Sequence, residues 1–419
     1  MIKKFSVKNF RNVNIENIEF DKINILIGPN NSGKTNFIKA LSFFANMIIG
    51  GKDNSYESSF LAEVDRNGWE KLLNKYADNS EVEFKWTIQL NEEDCDYSFA
   101  FNVGSQPQNF FITKEELDMS VIPVWEKRPF NHFKCHTEKK NECVFSTADK
   151  KGQQNRRVTM PVSDQDTVLF QFKDTLYDKP ELDKEKIIRK EFSPKFEQLQ
   201  KYFKGFCSYS SAQFSLPNIR QAAETKVKGL ILSKDGSNFI NVFNYYKSKD
   251  IFFKVRYEEK LKELMPFVTT TDITTEFEKL VFRLGYDYKQ FDLSDISDGT
   301  IKAMIMALLI TLPEKESYSL LALDEPEMNL HPAWQKVIGR WMQTIGGSRQ
   351  YFISTHSPDF LDVFTDGFKN NQVGVFVFDL KQENQITKLS YDKIAAELKD
   401  WELGDLYRTN DPTIGGWPW

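Results

Sequence analysis

Eight residues near the start of the chain, Gly28-Pro29-Asn30-Asn31-Ser32-Gly33-Lys34-Thr35, limit what it can fold into more than any other stretch. They fit the pattern G-x-x-x-x-G-K-[ST]. They follow directly on the apolar run Ile23-Asn24-Ile25-Leu26-Ile27 and lead into Phe37, Ile38, Leu41, Phe44 and Ala45 at helical spacing. A buried strand, a glycine-bearing turn and a helix in that order make an anion cradle. Gly28 and Gly33 let the backbone curl so that successive N–H groups face one point, and the helix adds the positive end of its dipole. In such a loop the backbone of Asn30, Asn31, Ser32 and Gly33 surrounds the phosphates, Lys34 reaches the β- and γ-phosphates, and Thr35 offers its hydroxyl to Mg²⁺. A turn that matched by chance would lack the flanking strand and helix. The motif specifies a nucleoside triphosphate with Mg²⁺ and leaves the reaction open.

The second half of such a site is an apolar strand that ends in carboxylates, and Ser319 to Leu323 runs into Asp324-Glu325-Pro326. Beside a phosphate loop, Asp324 is expected in the outer sphere of the metal. Glu325 is expected to orient and partly deprotonate the attacking water, because phosphoryl transfer needs a placed nucleophile more than covalent help. Without the loop the same pair reads as a solvated acidic turn. A further strand, Tyr351-Phe352-Ile353, leads into Ser354-Thr355-His356-Ser357-Pro358. An imidazole there can hydrogen-bond the γ-phosphate and sense its loss. His331 stands just before Pro332, a favoured first-turn residue, and reads as helix entry.

Ser297-Asp298-Gly299-Thr300 opens an apolar helix at 300–312. A hydroxyl and a glycine backbone at a helix N-terminus form a second phosphate-binding surface. An ordinary N-cap by Ser297 or Thr300 would use the same residues. One nucleotide does not need two cradles, so Ser297 and Gly299 are assigned to the nucleotide of a second copy of the chain.

Strand–helix alternation at both ends predicts an α/β fold with one parallel sheet assembled from residues 1–80 and 290–419. Between them, segments 81–90, 95–103, 108–113 and 143–147 alternate apolar and polar residues, which predicts an inserted antiparallel β subdomain over 81–183. Within it, 148–167 reads as an exposed loop. Residues 184–289 read as a helical lobe, with helices at 184–204 and 250–265; Pro194 interrupts the first and argues against a coiled-coil arm. The 36 phenylalanines read as core material.

With 55 basic against 60 acidic residues the net charge is −5, so any nucleic-acid contact is a local patch or belongs to a partner. Lys150, Lys151, Arg156 and Arg157 make the one weak basic cluster. Four cysteines are too sparse for a disulfide framework. His132, Cys135, His136 and Cys143 lie close together, but not as the pair-of-pairs of a zinc site, and read as a polar hairpin. The opening MIKKFSVKNF has no apolar signal core, and the longest apolar stretch, Ala303 to Leu312, is far short of the ~20 residues of a membrane span. A cytoplasmic protein with no membrane partner is expected.

Taken together, these motifs resemble the ABC-type ATPases of the RecF/SMC-like class, including the ATPase parts of OLD-family proteins. The resemblance is carried by the phosphate loop, Ile296-Ser297-Asp298-Gly299-Thr300, Leu320 to Pro326, Asn329-Leu330-His331-Pro332 and Ser354 to Pro358. It implies a P-loop ATPase head that closes as an ATP-sandwich dimer, with Ser297 and Gly299 acting across the dimer. Val7-Lys8-Asn9-Phe10-Arg11-Asn12 also resembles the class, which implies a nucleotide contact for Arg11; otherwise Arg11 is a surface residue on a strand. For the lobe-linking glutamine the candidates are Gln213 and, behind it, Gln89. Asp298 stands where the class usually has Gly, and Thr300 where it often has Gln, which implies slow hydrolysis.

A group of compact bacterial members also shows likenesses to Leu216-Pro217-Asn218-Ile219-Arg220, Asp235-Gly236-Ser237-Asn238, Leu403-Gly404-Asp405-Leu406-Tyr407 and Gly415-Gly416-Trp417-Pro418-Trp419. OLD-family proteins carry a nuclease domain after the ATPase. Here the sequence stops soon after the His356 strand, and Asp164-Gln165-Asp166 is an isolated acidic loop, so a nuclease effector is expected to be a separate protein. The implied function is a nucleotide-driven switch in anti-phage defence. The alternatives are a DNA-repair clamp and a scaffold that holds ATP with little turnover.

Overall fold

The chain opens on two strands of alternating burial, β1 (Ile2–Phe10) and β2 (Val13–Glu19), followed by the fully buried β3 (Ile23–Ile27). The computed structural model describes residues 1–49, 59–90, 93–119, 131–136, 142–148, 154–171, 197–225, 231–313, 318–344, 349–379 and 384–414. Lys150, Lys151, Pro194 with the helix expected up to 196, and the tail from Gly415 lie outside the described residues, as do the side chains of His136, Arg156 and Arg157. Two units divide the chain: Met1–Asp21, Asn30–Phe206 and Phe378–Lys388 form the first, and Lys22–Pro29, Cys207–Val377 and Leu389–Trp419 the second.

In the first unit, helices α1 (Lys34–Ile49) and α2 (Ser59–Arg66) precede six strands. These are β4 (Glu81–Leu90), β5 (Glu93–Asn102), β6 (Phe111–Met119), β7 (Asn131–His136), β8 (Glu142–Ala148) and β9 (Gln154–Pro161). They continue β1 and β2 in a single antiparallel sheet of order β2-β1-β4-β5-β6-β7-β8-β9. The division between 1–80 and 81–183 therefore runs through one sheet: β1 pairs with β4 from Ile2↔Ile88 to Lys8↔Glu83. Residues 154–161, read as loop, form its last strand. An edge strand pairs on one side only and tolerates polar residues, which is why it lacks an apolar signal.

Most of the described phenylalanines do pack as core, although Phe252, Phe267 and Phe277 are exposed. Phe44 of α1 stacks on Trp86 of β4 with centroids 3.7 Å apart, and Phe37 meets Phe5 of β1 edge-on at 5.7 Å. Offset and edge-on pairs add ~0.5–1.5 kcal/mol each beyond their buried area. This aromatic layer fixes α1, and with it the helix end that begins at Lys34.

The second unit contains the parallel sheet. It is built from β10 (Phe206–Ser210), β15 (Leu320–Asp324), β16 (Gln350–Ser354), β3 and β17 (Val373–Phe378), in that order. β15, β16 and β3 are buried at every position, as a sheet covered on both faces requires. Strands from residues 23–27 and 320–378 lie side by side, as expected of both chain ends, but β10 adds a strand from residues 206–210, inside the expected helical lobe. Between β10 and β15 come β11 (Ala223–Glu224), α3 (Phe239–Lys249), α4 (Phe253–Leu264), β12 (Val268–Glu276), β13 (Lys279–Tyr286), β14 (Lys289–Asp292) and α5 (Asp298–Thr311).

The expected helical lobe is thus part sheet: β12, β13 and β14 pair antiparallel. In β13, Leu280, Phe282 and Leu284 carry a period-two pattern and are buried, whereas threonines on both faces of β12 obscure any such pattern there. In α5 every residue from Ile301 to Ile310 is buried, which accounts for the long apolar run as a central helix. α6 (Pro332–Thr344), α7 (Pro358–Asp362), α8 (Thr365–Lys369), β18 (Ile386–Lys388, in the first unit) and α9 (Leu403–Arg408) complete the described elements used below. No helix among the described residues is long and apolar enough to cross a membrane.

Candidate nucleotide site

The phosphate loop leaves the carboxyl end of β3. Gly28 and Gly33 have φ of 140° and 105°, values that glycine adopts far more readily than other residues. At Gly33 the nearest atoms to a Cβ would be 3.8 Å away, so the backbone angle and not crowding demands glycine. Asn31 is also left-handed at φ 62°. Its backbone carbonyl accepts from Asn12 Nδ2 at 3.3 Å, and Asn12 Oδ1 accepts from Asn36 Nδ2 of α1 at 2.7 Å. Asn12 thus braces the loop against the helix it feeds, a role the sequence does not reveal. Lys34 and Ser32 are buried, with Lys34 Nζ 3.4 Å from Ser32 Oγ. Such a loop ahead of a 16-residue helix fits a polyphosphate.

On the second unit, Asp324 and Ser354 end β15 and β16 in register, and Ser354 is in register with Leu26 of β3. The loop's first residue, Gly28, therefore leaves the same sheet edge where the acidic pair emerges. Its N–H donates to the phenol oxygen of Tyr407 in α9, so the Leu403–Tyr407 motif touches the loop; burial nonetheless pushes that phenol's pKa up. The Ser354 hydroxyl donates to Asp324 at 2.6 Å and accepts from the Glu325 N–H at 3.1 Å.

Glu325 has φ 50°, a left-handed backbone that costs a non-glycine residue roughly 1–2 kcal/mol. The strain is held by its N–H, shared between the Ser354 hydroxyl and carbonyl. Its carboxylate is partly exposed and lies 3.6 Å from His356 Nε2. Asp324, Glu325 and His356 are thus brought together, as their motifs predict.

Glu327 is the site residue that sequence reasoning misses. It is buried, and its carboxylate accepts from the Thr355 hydroxyl at 2.7 Å and from the His356 N–H at 3.0 Å. Burial pushes its pKa up, against the pull of those bonds. Glu327 therefore sets the loop that carries His356. The one available signal was a carboxylate inside the acidic turn. Glu327→Ala should lower stability by about 1–3 kcal/mol by leaving those donors unpaired, whereas Glu327→Gln keeps one acceptor and loses less. Thermal melts of the two variants decide this; equal losses would refute the assignment.

Ser297 is the N-cap of α5: its hydroxyl accepts from the Thr300 N–H at 3.3 Å. The capping role is realised in the single chain, and it leaves the first turn of the helix facing outward. A Cβ at Gly299 would stand 2.8 Å from the Asn329 carbonyl, in a turn fixed by the left-handed Asn329 (φ 66°). Gly299→Ala should therefore cost about 1–3 kcal/mol by overpacking, read as a lower melting temperature. His331 caps α6, with Nδ1 accepting from the Ala333 N–H at 3.2 Å.

Gln213 lies exposed in the turn after β10, whose end is joined to β15 by the Ser211 N–H donating to the Asp324 carbonyl at 3.2 Å. Gln89 lies inside β4. Arg11 is in the β1–β2 turn at φ 55°, not on a strand surface. It is half-buried, with Nη2 donating to the Asn67 carbonyl at 2.6 Å.

Cys135 and Cys143 face each other across β7 and β8 and form a disulfide. Their sulfurs bond each other, so the hairpin reading stands in place of a zinc site. The cysteines do not form a framework, but they do form this one bridge.

A parallel sheet, a phosphate loop, an acidic edge and a signature-like helix, α5, whose Ile296–Thr300 entry resembles the signature motif of the class, make the head of a P-loop ATPase of the RecF/SMC-like class. The solved structure of an SMC head bound to the C-winged helix domain of ScpA has the same fold, with TM-score 0.53 over 94% of this chain and 99% of that one, at 12% identity. The chain belongs to the family described as "AAA domain, putative AbiEii toxin, Type IV TA system", whose model matches residues 23–362.

Among curated proteins, the Retron Vc95 probable ATPase of Vibrio cholerae serotype O1 biovar El Tor is 28% identical over 29% of this chain and 26% of its own length. Endonuclease GajA of Bacillus cereus (strain VD045) is 23% identical over 85% of this chain and 56% of its own. The DNA replication and repair protein RecF of Mannheimia succiniciproducens is 28% identical over 26% of this chain and 28% of its own. The chain spans from about a quarter to just over half the length of these relatives.

Proposed function

We propose that this protein hydrolyses ATP as a nucleotide-driven dimerisation switch, and that it is the sensor or regulatory ATPase of a bacterial anti-phage defence system controlling a separate effector such as a nuclease. The observation that carries the hydrolytic part is the grouping of Asp324, Glu325 and His356 at the sheet edge where β3 gives way to the phosphate loop. Lys34 and the N-terminus of α1 bind the phosphates, and Arg11 and Gln213 are assigned to the nucleotide. Thr35 and Asp324 are the residues assigned to Mg²⁺, which would supply charge neutralisation on the phosphate oxygens. Glu325 orients a water and takes its proton as the water oxygen bonds the γ-phosphorus and the bond to ADP breaks. His356, beside Glu325, is assigned to the γ-phosphate, whose loss it would sense. Ser297 and Gly299 of a second copy complete the grip, so ATP favours the closed dimer and hydrolysis releases it.

The defence role rests on likeness to a retron ATPase and to an endonuclease. The RecF likeness supports the second reading, a DNA clamp. Phosphate release per chain, measured against protein concentration, tests the switch: the rate should rise with concentration and plateau as dimers fill. A rate that is full and constant at the lowest concentration refutes it. Fluorescent DNA titration separates the clamp, which would bind tightly, with salt sensitivity and only with ATP.

A further inference from the structure

Two stretches with no part in that reaction meet inside the second unit. At Gly236, φ 73°, a Cβ would lie 3.0 Å from Ile219 and 3.2 Å from Phe214, so the Asp235–Asn238 turn lies flat against the helical turn Leu216–Ile219. The Asp235 carboxylate locks its own turn, accepting from the Ser237 N–H at 3.1 Å and from the Ser233 and Ser237 hydroxyls at 2.7 and 2.8 Å. The Asp235 carbonyl takes the Ser215 N–H at 2.8 Å.

What these paired turns hold out is Arg220. Its Nη2 donates to the Asp298 carboxylate at 2.5 Å and to the Ile296 carbonyl at 3.0 Å, on either side of Ser297. Lys302, one turn further along α5, acts on Asp298 through charge alone. At the other end of the same segment, Ser211 is bonded to Asp324. The stretch from Ser211 to Arg220 thus runs from the acidic strand to the signature-like helix.

We infer that Arg220 is the positioning residue of the second-copy phosphate grip: it neutralises Asp298 and holds Ile296, so that the N-terminus of α5 accepts a phosphate although it carries a carboxylate. This rests on the trans role proposed for Ser297 and Gly299. A carboxylate in the first turn suits the helix by itself, but it repels an incoming γ-phosphate unless a cation covers it. As a stabilising ion pair the contact is minor, because Arg220 and Asp298 are 27% and 59% exposed at their side chains. Its weight comes when a second chain closes and water leaves, since the same charges then interact through a lower dielectric.

The test is a cycle of Arg220→Ala, Asp298→Gly and the pair, with Arg220→Lys as the conservative variant. Dimerisation with ATP is read by sedimentation in a Glu325→Gln background, and kcat and KM are read in the native one. Arg220→Ala should weaken ATP-dependent dimerisation and lower kcat by about tenfold while leaving the melting temperature unchanged. Adding Asp298→Gly should restore both to within about threefold, and Arg220→Lys should retain part of each. If the double variant is no better than Arg220→Ala, Arg220 acts only through the backbone and the inference fails. Equal dimerisation by Arg220→Ala and the native residue also overturns it, with the dimer reading intact. A Glu325→Gln chain that stays monomeric with ATP overturns the dimer reading and this inference together.

Discussion

A Lys34→Ala chain should fold and fail to hold ATP. Lys34 is buried at the start of α1, and the aromatic layer of Phe37, Phe43 and Phe44 that anchors this helix is untouched by the change. The melting temperature without nucleotide should therefore move by a few degrees at most. Charge-assisted hydrogen bonds are worth roughly 1.5–3 kcal/mol each. Removing the cation that serves two phosphates should weaken ATP by about 10²–10⁴-fold. Titration with a fluorescent ATP analogue measures this directly, and ATP should no longer raise the melting temperature. Native affinity in a Lys34→Ala chain would remove the phosphate loop from the site.

Glu325→Gln separates binding from chemistry. Glutamine keeps the shape and leaves in place the backbone N–H bonds to Ser354 that hold the left-handed turn. It loses the capacity to accept a proton from water. Turnover should fall on the order of 10²–10⁴-fold, the usual contribution of a general base. ATP itself should bind as before. Because the γ-phosphate then persists, the ATP-dependent dimer should accumulate and dissociate slowly, which sedimentation or light scattering would show. Phosphate release at the native rate would remove Glu325 from its role as the base.

Much of this site is legible in the sequence because its parts are local. A phosphate loop needs consecutive backbone N–H groups, so Gly28 to Thr35 must be contiguous. A carboxylate at the end of a buried strand must follow an apolar run, as Asp324 follows Leu320 to Leu323. The N-cap of α5 is local too, because Ser297 reaches only as far as Thr300. Sheet membership is different. β4 reads correctly as a strand from its alternation, but nothing in residues 81–90 says that its neighbour is β1 and not a separate subdomain. The threonine-rich β12 hides for another reason: polar residues on both faces mute the period-two signal, whereas β13 does carry one in Leu280, Phe282 and Leu284.

From the amino-acid order alone come the phosphate loop, the acidic strand end, the position of His356 after the next strand, the capped apolar helix and a parallel sheet that joins strands from both chain ends. Only the tertiary structure decided that Glu327 sets the His356 loop, that Cys135 bonds Cys143, that Asn12 braces the phosphate loop, and that Arg220 covers Asp298. The physical reason is range. Backbone geometry and strand periodicity act over neighbouring residues and leave a pattern in the sequence. A hydrogen bond between residues 28 or 78 positions apart depends on where packing brings two segments, and no spacing rule records that.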